Sequence, residues 1–343
     1  MPEKKDSGTI AGLQEVISSK QAESLLKLRN VEGFGIANKI TDGEDTEELG
    51  ITVFVSQKLP KDLLNKEDVV PASIGNHATD VIDTQGEIMA LPELAVRPPV
   101  VTRAELATTR PSLTERSEDV TIELLRERVR PVEGGYSVGH YQITAGTYAT
   151  AVRDAQPFPG VPLRYYVLSN NHVLANSNNA RIGDPILQPG PFDGGMVSSD
   201  TIARLSRWVT IQFGPNSINY VDAAIAEGQF HVLDREIYWI GYVRGAIAPT
   251  VGMLVQKTGR TTNHTTGRIT AINATVNVNY GGGQVARFLN QIVTTNMSAG
   301  GDSGSLLLDL ENRAVGLLFA GSSAVTIHND IRYVQALLGI RIV

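Results

Sequence analysis

The stretch Gly301-Asp302-Ser303-Gly304-Ser305 sets a serine between glycines, and that combination can present a nucleophilic hydroxyl from a tight turn. Such a turn must fold sharply enough for the serine's own N–H and the N–H two residues earlier to point at one developing oxyanion. Glycines at 301 and 304 permit it. Ordinary β-turns use the same residue types, so the segment gains chemical meaning only with a base and an acid to serve it. His172 is the candidate base: the apolar run Tyr165-Tyr-Val-Leu168 ends in Ser169-Asn-Asn171 and delivers the imidazole from a strand end. Asp222 is the candidate acid, a lone carboxylate in the apolar run Asn219-Tyr-Val-Asp222-Ala-Ala-Ile-Ala226, where an unpartnered charge is costly. Asp193, Asp200 and Asp234 rival it on spacing, but none sits in so apolar a run. In the order His, Asp, Ser these residues suit acyl transfer. Ser303 is then the nucleophile, His172 the general base and later acid, and Asp222 its orienting partner, with the N–H groups of Gly301 and Ser303 as an oxyanion hole.

Residues with those roles need a rigid frame. The 33 glycines and 16 prolines among 343 residues, with short alternating apolar patterns, predict many strands joined by turns and a mainly β fold. Such patterns recur at Gln142–Thr150, Arg164–Ser169, Trp208–Gln212, Ile237–Val243, Gly267–Val278 and Ala314–Ala320. Asn329 and Asp330 can cap a helix over Ile331–Leu338, which Gly339 stops. Upstream, Ile10, Leu13, Ile17, Leu25 and Leu28 share one helix face, and strand-like runs follow at Val31–Ala37, Gly50–Val55 and Thr79–Ile82. These make residues 1–91 a small α+β module. Pro92, Pro98, Pro99 and Pro111 interrupt a stretch rich in Thr, Arg and Glu, so residues 92–133 read as a linker, with a short helix predicted over Val120–Arg128. Residues 134–343 remain for the catalytic domain.

On the His172, Asp222 and Ser303 motifs, in that order, residues 131–343 resemble the trypsin-like serine proteases of the chymotrypsin fold. The resemblance implies two six-stranded Greek-key β-barrels with a C-terminal helix, here preceded by the small α+β N-terminal domain. It also implies a serine endopeptidase that hydrolyses peptide bonds through an acyl-enzyme. The run Lys257-Thr-Gly-Arg260-Thr-Thr262, followed by Thr266-Gly-Arg-Ile-Thr-Ala-Ile-Asn273, resembles the α-lytic type. There the arginine pairs with the aspartate before the nucleophile, so a pair between Arg260 and Asp302 is implied, which neutralises a buried carboxylate without a freed amino terminus. More closely, Val31-Glu-Gly-Phe-Gly-Ile36, Val138-Gly-His-Tyr141 and Leu187-Gln-Pro-Gly-Pro191 are similar to bacterial relatives of the plant narrow-leaf trypsin-like proteases. Plant members are associated with oligomers, which points to a homo-oligomer here.

The same resemblance puts Met297 at the base of the specificity pocket and Phe319, Ala320 and Gly321 beside the substrate. An apolar floor argues against Lys or Arg at the cleaved position and predicts a medium apolar residue there. Two positions depart from the family pattern. Ser305 replaces the second glycine after the nucleophile, and Phe319 falls near where many members place a serine that hydrogen-bonds the catalytic aspartate.

A net charge of −6 leaves no nucleic-acid footprint, and the absence of cysteine rules out disulfides and a cysteine nucleophile. His77, His231, His264 and His328 lack partner motifs, His140 at the start of the protease domain is assigned no role beyond packing, and no His-x-x-x-His pair occurs, so neither metal nor cofactor is expected. Met1-Pro-Glu-Lys-Lys-Asp-Ser-Gly8 lacks the apolar core of a signal peptide and no run reaches membrane-span length, which predicts a cytoplasmic protein without a membrane partner. The expected partner is a protein or peptide substrate. Two other classes fit the same residues: a protease-fold scaffold or binding protein with weak catalysis, and an esterase-type acyl hydrolase. The linker composition also raises self-cleavage between residues 92 and 133.

Overall fold

The computed structural model describes residues 9–41, 44–90, 125–143, 145–156 and 163–342. The expected linker therefore lies outside the described residues up to residue 124, together with most of the helix predicted over Val120–Arg128.

The fold is mainly β, as the turn-rich composition predicts. One sheet has eight strands in the spatial order Ile340–Ile342, Ala151–Asp154, Tyr165–Ser169, Ala224–Gly228, Thr201–Trp208, Pro185–Leu187, Ser137–His140 and Gly146–Thr147. A second sheet has eleven, running from Leu254–Gly259 through Leu306–Asp309, Ala314–Gly321, Val325–Asp330 and Val285–Thr295 to the long strand Asn263–Asn279. Beyond that strand the sheet continues into the N-terminal residues. Among the described residues the sheets thus exceed the six strands apiece that the resemblance implies.

For the second sheet the reason is visible in the register. Val31–Thr41 runs antiparallel along Asn263–Asn279, with Gly33 opposite Val276 and Ile36 opposite Ile272. Its other edge takes Glu44–Val55, which pairs in parallel with His77–Asp83. Leu13, Ile36 and Ile51 share one apolar core with Val255, Ile269 and Leu307. Each such side chain contributes about 1.5–3 kcal/mol by its burial, so the N-terminal elements and the second sheet hold each other in place. The long helix expected from Ile10 to Leu28 breaks into Ile10–Ile17 and Lys20–Ser24. Two serines cause the break: Ser18 Oγ donates back to Gln14 O (2.7 Å), and Ser19 Oγ accepts from Ala22 N (3.3 Å) to cap the second helix.

A further core lies where the two sheets meet. Val152, Leu168 and Ile225 pack there with Leu306 and Leu317, and the C-terminal helix Ile331–Leu338 adds Ile331, Val334 and Leu338. Asp330 caps that helix by accepting from Arg332 N (2.9 Å), and Gly339 stops it at φ 62°. His172, Asp222 and Ser303 all lie in segments that flank strands of this junction.

Candidate active site

Strand Tyr165–Ser169 ends in Asn170, and a short helix over Asn171–Leu174 carries His172. The two asparagines fix that change of direction. Asn170 Nδ2 donates to Asp222 O (2.8 Å), while Asn171 Nδ2 donates to Val209 O (2.7 Å) and Asn178 Oδ1 (2.8 Å). Asp222, at the start of the neighbouring Ala224–Gly228 strand, is thereby drawn beside the histidine. His172 Nδ1 lies 2.6 Å from Asp222 Oδ2, and His172 N donates to Asp222 Oδ1 (3.1 Å).

The Asp222 carboxylate is wholly buried. A buried carboxylate needs donors aimed at its oxygens. Besides the two from His172, Tyr280 OH donates to Oδ2 (2.7 Å). Burial, with Asp222 next to it, pushes the Tyr280 phenol well above its ordinary range and keeps it a donor. Asn329 Oδ1 accepts from Asp222 N (3.0 Å), and its amide is in turn held by Gln291 Oε1 (2.8 Å). With Nδ1 committed to the carboxylate, Nε2 is the nitrogen left for proton transfer, and it has no hydrogen-bond partner among the described residues. Tyr280, just past the end of strand Asn263–Asn279, thus supplies the Asp222 carboxylate with a hydroxyl donor that position 319, a phenylalanine, cannot give.

In the Gly301–Ser305 turn the carbonyls are tied down. Gly300 O accepts from Thr261 Oγ1 (2.6 Å), Gly301 O from Thr147 Oγ1 (2.9 Å), Asp302 O from Ser305 Oγ (2.7 Å) and Ser303 O from Thr147 N (2.7 Å). Because each peptide is planar and trans, fixing the carbonyls of Gly300 and Asp302 points the N–H groups of Gly301 and Ser303 the opposite way. Gly301 and Gly304 adopt φ of 93° and 98°, the left-handed region that glycine enters without penalty. Ser305, where the family has a second glycine, spends its hydroxyl inside the turn.

The implied pair between Arg260 and Asp302 does not form; two other pairs take its place. Lys257 Nζ lies 3.2 Å from Asp302 Oδ2, and the carboxylate also accepts from Thr261 N (2.8 Å), Thr262 N (3.1 Å), Thr262 Oγ1 (2.6 Å) and Ala299 N (3.0 Å). Arg260 grips Asp193 instead, Nε to Oδ2 at 2.8 Å and Nη2 to Oδ1 at 2.5 Å, with its guanidinium 5.3 Å from the Phe192 ring centre. A two-pronged guanidinium fits a carboxylate that offers both oxygens, and those of Asp302 are already taken by the loop. Asp193, read only as a rival for the acid, is therefore a structural partner.

Met297 is buried, its N donating to Thr326 Oγ1 (3.1 Å) and its O accepting from Thr265 Oγ1 (2.8 Å). Phe319 does not line an open wall: it is wholly buried, with its ring centre 4.7 Å from that of Phe288. Ala320 and Gly321 lie on a strand edge that Ala90 and Met89 occupy. Of the other histidines, His140 pairs with Asp184 (3.0 Å) and His328 is buried, its imidazole pushed down to about 3 by burial and by the Lys257 charge. Sequence reasoning missed Tyr280, Lys257 and the role of Asn329. Only Lys257 carried a signal, as the basic residue that opens the Gly-Arg-Thr-Thr motif.

No protein-family model matches the chain. It is 37% identical over 112 residues to glutamyl endopeptidase 2 of Streptomyces griseus, a match that covers 33% of this chain and 50% of that protein. Serine protease 2 of Streptomyces fradiae is 37% identical over 109 residues, covering 32% of this chain and 52% of that protein. The chain thus spans about half the length of the curated relatives it matches. Among solved structures, Thermobifida fusca protease A aligns over 62% of this chain and 98% of its own, at 18% identity and a TM-score of 0.45. Cellulomonas bogoriensis chymotrypsin aligns over 62% and 98%, at 22% identity and a TM-score of 0.43. The cytoplasmic location expected from the amino terminus does not stand against the Streptomyces matches, which point towards secretion. Among the described residues, no helix is long and apolar enough to cross a membrane. The sequence matches to serine proteases, with the His172–Asp222 pair and the tied turn around Ser303, make the chain similar to the trypsin-like serine proteases.

Proposed function

We propose that the chain is a serine endopeptidase in which Ser303 Oγ attacks the substrate carbonyl while His172 Nε2 takes its proton. Asp222 holds the imidazole and stabilises its charged form. The oxyanion is received by the N–H groups of Gly301 and Ser303, a pair whose members are each worth about 10²–10³ in rate in such sites. The protonated His172 then gives its proton to the leaving amine, and water repeats the sequence to release the acyl group. One observation carries the reading: the 2.6 Å bond between His172 Nδ1 and a buried, three-donor Asp222 carboxylate. A structural histidine has no need of that support.

The cleaved residue in this proposal is apolar and of medium size. Met297 supplies an apolar floor, and the polar groups next to it are the hydroxyls of Ser298, Thr326 and Thr265. His328 shares a strand face with Thr326, and burial keeps it neutral, so it offers no charge to a glutamate. This matters because one relative is named a glutamyl endopeptidase.

A fluorophosphonate should label the wild type, and Ser303→Ala should not react. A folded wild type that never labels sinks the proposal. A peptide panel with Leu, Met, Arg and Glu at the cleaved position tests the pocket, and preferred cleavage after Arg or Glu overturns that part alone.

A further inference from the structure

Residues Thr84–Ala90 follow the sheet edge that leads to the nucleophile turn. Ser322 Oγ donates to Thr84 O (2.6 Å), Ser323 Oγ to Gln85 O (2.8 Å) and Asn279 N to Ile88 O (2.9 Å). Met89 and Ala90 then pair antiparallel with Gly321 and Ala320, and Met89 pairs in parallel with Asn279. The short strand therefore fills a slot between two longer ones, and each of these is joined to the chemistry. One contains Leu318, whose O accepts from Gly304 N (2.8 Å) and whose N donates to Ser305 O (3.0 Å). The other leads directly into Tyr280, which holds Asp222. Ile88 and Ala90 are buried in the same core as Phe319 and Ala320, and Ser303 is itself wholly buried.

An extended peptide gains most from a protein by adding a strand to an open sheet edge, where backbone hydrogen bonds supply affinity and alternate side chains supply selectivity. The edge at Ala320–Gly321 is the one the resemblance to trypsin-like proteases sets beside the substrate, and the chain's own Met89–Ala90 occupies it. We infer that Thr84–Ala90 is an inhibitory strand acting in cis, seated where the backbone of an extended peptide substrate must lie, so that the cleft opens only when the strand withdraws. This inference rests on the endopeptidase reading and names how that site is regulated. A tethered strand competes at high effective concentration, and a free peptide is bound only by the fraction of molecules whose strand has left. Its first half is held by the Ser322 and Ser323 hydroxyls and by Thr84 N and Gly86 N, which donate to Val55 O (2.8 Å) and Ser56 O (2.8 Å), and Ile88 and Ala90 share a core with Ala37 and Phe54, so withdrawal must break those bonds and vacate that core.

Hydrogen exchange in the full-length wild type tests this directly. The Ile88–Ala90 amides are followed before and after labelling with a phosphonate carrying a tripeptide, and in parallel with a small alkyl fluorophosphonate. The tripeptide probe should speed exchange of these amides about tenfold or more by taking the strand's place, while the small probe leaves them protected. Ala90→Glu, which puts a charge into the buried seat, should react with the tripeptide probe about tenfold faster than wild type. Tripeptide labelling with exchange at Ile88–Ala90 unchanged overturns the inhibitory strand and leaves the endopeptidase standing. No labelling of Ser303 by either probe overturns the endopeptidase and this inference with it.

Discussion

Lys257 Nζ lies 3.2 Å from Asp302 Oδ2, and both side chains are wholly buried. The ammonium is also received by Thr262 Oγ1 and by Asn263 O (3.2 Å). Burial pulls the Lys257 amine below its usual range, and the Asp302 charge works against that pull. Taking two charges out of water is expensive, so the pair stabilises the fold less than its short distance suggests, yet losing one partner strands the other. What the pair secures is the residue just before Ser303, and with it the direction of the turn.

Lys257→Met should therefore destabilise the protein by about 3–5 kcal/mol and lower kcat, because Asp302 keeps its charge without its counter-ion. Adding Asp302→Asn removes the stranded charge. The double variant should lose clearly less than the two single losses combined, as coupled neighbours do. Urea unfolding midpoints of the four proteins measure this, and additive losses would show that the two side chains do not act as a pair.

Tyr280→Phe removes one of three donors to the Asp222 carboxylate and leaves the ring in place. A hydrogen bond to a charged group is worth about 1.5–3 kcal/mol, so the support of His172 weakens while the cleft is untouched. The expected result is a lower kcat at an unchanged KM. Asp222→Asn, which turns an N–H towards the ring nitrogen it should accept from, should cost about 10⁴ in kcat. A rise in KM with kcat held would make Tyr280 a substrate contact instead.

How much of this was legible in the sequence depends on distance along the chain. Ser303 and His172 were legible because each advertises itself locally, by glycines around a serine and by an apolar run ending in polar residues. Asp222 followed from the cost of a lone carboxylate among apolar neighbours. Tyr280 and Asn329 were not legible: each meets Asp222 only after remote strands are brought together, and no pattern around Tyr280 separates it from a core aromatic. Arg260 was misassigned for a similar reason, since two carboxylates and two cations lie within reach and only the fold decides that Asp193 takes the guanidinium and Asp302 the ammonium. The alternation of Val31–Ala37 predicted a strand, but alternation does not name its neighbour, and the pairing with Asn263–Asn279 had no local signal.

Gly304 is a position where a single methyl should be intolerable. Its φ is 98°, and a Cβ there would overlap both Ser169 Oγ and Thr147 O. The conformation alone costs about 1–3 kcal/mol for a residue with a side chain, and the overlap adds to it because Thr147 also holds Ser303 O. Gly304→Ala should lower the melting temperature and abolish Ser303 labelling. A variant with wild-type melting and labelling would mean that the turn is far more pliant than its hydrogen bonds indicate.

Glu32 supplies a pH dependence whose sign follows from its surroundings. Burial first, and the nearby Glu87 second, raise its carboxyl from 4.5 to about 7, against weaker help from the Ile88 backbone and Ser56. Glu87 is itself held by Asn279 Nδ2 (2.9 Å). In the unfolded chain Glu32 loses its proton near 4.5, whereas the folded protein retains it until about 7. Its contribution is fully present below the lower value and is lost as pH rises through that window, because the native state there binds the extra proton. Thermal melts at pH 5 and pH 8 should show wild-type stability falling across the interval, and Glu32→Gln should flatten the fall. An equal fall in the variant would assign the pH dependence to other groups.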